Sequence, residues 1–135
     1  MPPLRTIAVR DGPPDKRLRL LFDALIAVKR KRAADDPELF AAYRTLATDA
    51  QSVVAAHVDE LVALAAMVIR AGVKDGSFRR VDPVSAGRAV LFATSRFHHP
   101  AHAAEWNKPD IDAAYDDVWK LVMGGLCVAK PRREH

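Results

Sequence analysis

The sequence predicts an all-α protein, an antiparallel bundle of about five helices, and three observations carry that expectation. Apolar residues recur at spacings of three and four nearly throughout. No segment alternates apolar and polar as a half-buried strand does. Asp-Pro pairs, at Asp36-Pro37 and Asp82-Pro83, punctuate the chain where an N-cap and first-turn proline would start a helix.

Each element has its own signature. Leu18, Leu21, Phe22, Leu25 and Val28 form the first stripe; Pro14 and Asp15 suit its first turn, and Lys29 to Arg32 suit the negative end of its dipole as a solvated block. A short second helix restarts at Pro37 and carries Leu39, Phe40, Tyr43 and Leu46. Thr48 to Gln51 reads as a capping box, which starts the third helix near Asp49. Its stripe of Val54, His57, Val58, Leu61, Ala65, Val68 and Ile69 is widened by Val53, Val62, Leu64 and Met67, so it must pack on several sides. Gly76 stops it, and Phe78 can fold back over its end. The fourth helix starts at Pro83, is uncharged from Ala89 to Ser95, and ends at His98 or His99 because Pro100 follows. After a loop from Pro100 to Pro109, Asp110 can cap the fifth helix, which bears Ile111, Ala114, Tyr115, Val118, Val122 and Leu126. Gly124-Gly125 near its end suggests close approach of another backbone. The domain is expected over residues 15–130, with an irregular, proline-rich extension at 1–14 and a frayed tail at 131–135.

Composition narrows the function classes. Length 135, half the residues hydrophobic and 28% charged describe one globular domain. A net charge of +4 does not argue for nucleic acid. A single cysteine, Cys127, excludes an intrachain disulfide and a cysteine zinc site and fits the cytoplasm. Neither a secretory signal nor a membrane span is visible; the longest apolar run is Leu61 to Ile69.

The chemistry-bearing residues do not assemble a catalytic set, so no enzyme and no cofactor is expected. His98, His99 and His102 are dense, but Pro100 breaks the helix between them; helix termination and loop polarity explain them better than a metal. Asp35-Asp36 fits a cap. Asp116 and Asp117, as helix neighbours, point apart. Phe40, Tyr43, Phe92, Phe97 and Trp106 are either core or the lining of a pocket between helices, with His57 as its polar anchor.

Ile69 to Phe78 with its two glycines, the Val81-Asp82-Pro83 start, Phe97-His98-His99-Pro100 and the Ala34 to Phe40 restart, in this order, resemble the C-terminal domain of TetR/AcrR-type transcriptional regulators. The likeness runs from about Asp15 to Val128. It implies effector binding and homodimerisation through the fourth and fifth helices. The interface candidates are Val90, Leu91, Thr94, Val118, Val122 and Gly125. The candidates for a hydrophobic or aromatic effector, between the first, third and fourth helices, are Phe22, His57, Leu61, Met67 and Phe92. Such regulators begin with a three-helix DNA-binding head, and Met1 to Pro14 is too short for one. The chain is thus expected, as a piece of a longer regulator or a headless relative, to sense and pair without specific DNA binding. The alternative is a helical interaction module with a filled core and no ligand.

Overall fold

The structure, a computed structural model, describes the backbone of residues 2–39, 41–42 and 51–128, and the side chains of all of these except 2–3 and 51–55. It is all-helical: α1 (Pro2–Val9), α2 (Pro14–Asp35), α3 (Gln51–Asp75), α4 (Pro83–Ala93), the single turn α5 (Ser95–His98), a 3-10 segment (Pro100–Glu105) and α6 (Ile111–Leu126). Residues 37–39 and 41–42 are helical too. Among the described residues the one strand-like contact is an isolated antiparallel bridge between Phe78 and Cys127. The Thr48–Gln51 capping box, Phe40, Tyr43, Leu46, the side chains of Val53 and Val54, and the tail 131–135 lie outside the described residues.

Helix α2 is the spine of the bundle. Leu18, Leu21, Phe22, Leu25 and Ile26 are buried along one face. Near its start Arg17 feels the charge of Asp75 at the end of α3, and near its end Lys29 meets His57 in the first half of α3, so the two helices run antiparallel. The same reversal holds against α6: Arg19 pairs with Asp116 at 3.1 Å and Arg30 with Asp112 at 3.0 Å, while Asp15 acts on Cys127. The Arg19 guanidinium also lies 4.5 Å from the centre of the Tyr115 ring, which fastens these helices by a cation–π contact. Helices α3 and α4 form the third antiparallel pair. Gly87 makes their close approach possible: a Cβ there would stand 3.1 Å from the Val62 carbonyl oxygen.

The punctuation works as its residue types dictate at three points. The Asp36 carboxylate accepts from the Leu39 amide and Asp82 from the Ser85 amide, each satisfying an orphan donor of a first turn. Gly76, at φ +86°, occupies the left-handed region where α3 stops. Phe78 then folds back, 2% exposed, against Gly72.

Several expectations need correction. The N-terminal extension is not irregular throughout: Pro2–Val9 is a helix whose Leu4 and Ala8 are buried. Their spacing of four puts both on one face, which packs in the same core as α2 and α3 and so offsets the cost of ordering a short helix. The fourth helix does not run unbroken to His98. It stops at Thr94, whose hydroxyl bonds back to the Val90 carbonyl, and resumes as α5. Much of the expected loop after Pro100 is 3-10 helix. Asp110 stands at the start of α6 without a side-chain capping bond. Within the chain nothing lies within 4 Å of a Cβ built on Gly124 or Gly125, whereas a Cβ on Gly87 would meet α3. Lys29 is not a solvated end residue: it is 3% exposed.

Candidate functional site

Counting from Leu18 in steps of four and three leads to Phe22, Leu25 or Ile26, and then Lys29, so this lysine continues the buried stripe of α2 where an aliphatic residue would be ordinary. Its stem packs inward, and its Nζ reaches 3.2 Å from Nε2 of His57 on α3. These two residues line a cleft of about 60 Å³ between α2, α3, α4 and α5. Val58, Leu61, Leu91, Phe92 and Pro100 supply its apolar lining, and Ser95, His98 and His99 complete it. The volume admits a few water-sized groups as it stands. Phe92 is 57% exposed.

Electrostatics in the cleft follow from burial. Desolvation pulls the Lys29 ammonium down to about 8, with Arg32 on the same helix adding repulsion. A charged ammonium can only donate, so the Lys29–His57 contact requires a neutral His57 that accepts at Nε2. Burial, then the charge of Lys29, accordingly lowers the His57 imidazolium, against a weaker opposing pull from Glu60. His98 is more deeply buried and burial brings it to about 4, leaving a neutral ring. Its Nε2 is 3.0 Å from the Thr94 hydroxyl, which itself lies 2.9 Å from the Val90 carbonyl oxygen. With Nε2 protonated, His98 donates to Thr94 and Thr94 donates onward to Val90.

The three dense histidines do different work. His99 accepts the Ala101 amide at the start of the 3-10 segment, and His102 lies 3.3 Å from Glu105. Among the described residues no group of three metal-ligating side chains converges.

Of the effector candidates, the structure places His57, Leu61 and Phe92 around one cleft. Phe22 lies outside it, buried beneath His98 and Trp119 and against a void of only about 10 Å³. Met67 is a correction: it points outward on α3, 36% exposed, because the helix buries Val62, Ala66, Val68 and Ile69 around it instead. Lys29 and His98, absent from the expected set, are central to the cleft. The periodicity of α2 was the available signal for Lys29; for His98 there was none, because the break at Thr94 redirects it.

The expected pairing face also needs correction. Val90, Leu91 and Thr94 are at most 4% exposed and belong to the chain's own core, since α4 turns its apolar stripe onto α3. Val118 and Val122 are half-buried and Gly125 is exposed. Ala89, Phe92 and Ala93 on α4 and Leu121 on α6, 81% exposed, face outward instead.

Fold and site together define a small helical domain with an apolar, base-edged cleft between its helices. Residues 14–119 match the family described as the tetracyclin repressor-like C-terminal domain, and the chain belongs to that family. It is a TetR-family regulator domain. Among curated proteins and among solved structures no match was found. No described helix is long and apolar enough to cross a membrane.

Proposed function

We propose that this domain binds a small hydrophobic effector in the cleft at His57 and pairs with a second copy of itself through the outward faces of α4 and α6. The observation that carries the reading is Phe92. Its ring lines the cleft, yet it is also one of the exposed apolar residues of α4. A ligand that displaces this ring would alter the face offered to the partner, and a differential affinity for two pairings is all that a regulatory population shift needs. Leu121 on α6, 81% exposed, would add apolar area to such an interface. An isologous interface would use this patch twice. The domain would act as a sensor in the cytoplasm, with no chemistry of its own and no specific DNA contact by residues of this chain.

The narrow volume of the cleft favours a second reading, a pairing module with no ligand, so the two halves are tested separately. Sedimentation at micromolar concentration is expected to give a dimer for the wild type and a monomer for Leu121→Glu with unchanged helicity. A wild-type monomer would refute the pairing. Effector binding is expected to survive Leu121→Glu and to be lost on filling the cleft by Ser95→Trp.

A further inference from the structure

Helix α1 covers a second, smaller space in the bundle. Its Leu4 closes a void of about 10 Å³ whose other walls are Leu21, Phe22, Leu25, Leu61, Leu64 and Leu91, from α2, α3 and α4. All of these side chains are hydrocarbon. Leu21, Phe22, Leu25 and Leu64 line this space and not the cleft at His57, while Leu61 and Leu91 line both. The cover itself is lightly held. Among its described side chains Leu4 and Ala8 are buried and Ile7 is half-buried, and eight residues form no stable helix without such packing. The Arg17 guanidinium tethers the end of α1 by donating to the Ala8 carbonyl at 2.7 Å. Arg10 to Pro13, which join α1 to α2, are exposed, and Gly12 among them stands at φ +137° with nothing closer than 3.8 Å to a Cβ built there. Helix α1 can turn away about this link without breaking any helix of the remaining bundle.

We propose that α1 is a releasable plug, and that a small neutral hydrocarbon, aromatic or branched, competes with Leu4 for the apolar site beneath it. The class of ligand follows from the lining. No side chain there offers a donor or an acceptor, so a polar or charged group would lose its water without gaining a partner. A hydrocarbon instead restores the apolar burial that Leu4 gives up on leaving. With Leu4 in its seat, the void has room for no more than one water-sized group, so the ligand and the docked helix exclude each other. Occupancy of the site therefore shifts the population of docked α1. The site is separate from the cleft at His57, and each is tested without the other.

The test adds toluene to the whole chain and follows two NMR signals, the methyl shifts of Leu25 and Leu64 and the hydrogen exchange of the Ile7 and Ala8 amides. Toluene is expected to move those methyls and to speed the exchange, because it binds the form that α1 has left; a ligand seated beneath a docked α1 would slow it. Arg17→Met cuts the tether and leaves the interior intact, so it should tighten toluene binding about threefold by populating the open form. Leu4→Ala vacates the seat and should tighten it about tenfold. Should Leu4→Ala fail to fold, the Arg17 variant decides alone. Slowed or unchanged exchange on binding, or an affinity untouched by Arg17→Met, would overturn the plug. Leu25 and Leu64 methyls that stay put in every one of these proteins would overturn the site itself. Shifts confined to Val58 would put toluene in the cleft, which overturns the site under α1 and leaves the effector reading standing.

Discussion

The two ends of α3 are built from opposite materials. At its C-terminal end Gly72 receives the Phe78 ring so closely that a Cβ there would come within 2.2 Å of it. The chain beyond is stitched down by backbone bonds, from the Phe78 amide to the Gly72 carbonyl at 3.0 Å and from the Arg79 amide to the Leu126 carbonyl at 2.8 Å. At the other end, around His57, the neighbours are a lysine, two further histidines and an open cleft. The closed end has one arrangement, dictated by shape. The open end has charge, space and a partly exposed aromatic ring, Phe92. The effector-binding reading proposed above calls for both, because a site that adapts to a ligand must be held by a part that does not.

The largest effect is expected where the closed end is broken. Phe78→Ala should destabilise the domain by about 3–5 kcal/mol, as buried phenylalanine truncations do. Gly72→Ala alone should also destabilise, because overpacking against the ring outweighs the better helix propensity of alanine. In the Phe78→Ala background the same change should become neutral or stabilising. Denaturant unfolding of the four proteins in that cycle measures it, and additive effects would break the account of the Gly72–Phe78 contact.

Next comes pH, which probes the open end. His98 has its folded-state imidazolium held at about 4, below the ordinary value of 6.5. Between those values the unfolded chain binds a proton that the folded chain does not, so stability rises with pH across that window. The contribution lost on going from pH 6.5 to 4 is about 3 kcal/mol for a shift of that size. Urea melts at intervals of pH should show the slope, and His98→Gln should reduce it, leaving the smaller part due to His57 and His99, which burial also lowers. The closed end, with no buried histidine, should not contribute.

The smallest effect is expected at the joint between the ends, the start of α4. Asp82→Ala removes the acceptor for the Ser85 amide, and a fall of a few degrees in Tm with unchanged oligomeric state is expected. A larger fall, or a changed oligomeric state, would mean that this cap sets the placement of α4 and not merely its fraying.

Much of the fold was legible because its signals are local. Asp36, Asp82 and Gly76 announce helix ends through bonds and dihedral angles made within a few residues. The helix at Pro2–Val9 was not legible, since eight residues form no stable helix alone and this one exists through Leu4 and Ala8 packing into a core assembled elsewhere. The site was half legible. His57, Leu61 and Phe92 fall out of periodicity as residues near one pocket, whereas Met67 and the inward Val90, Leu91 and Thr94 show that a stripe broader than one face does not say which neighbour covers it.

The sequence by itself therefore determined the helical class, the order of the elements and most of their starts, because spacing, caps and glycine act over one or two turns. Only the tertiary structure decided which side of α4 faces the core, that the helix breaks at Thr94, and that the ammonium of Lys29 meets the imidazole of His57 twenty-eight positions away. Those outcomes depend on how several helices share one interior, and no single helix's pattern contains that information.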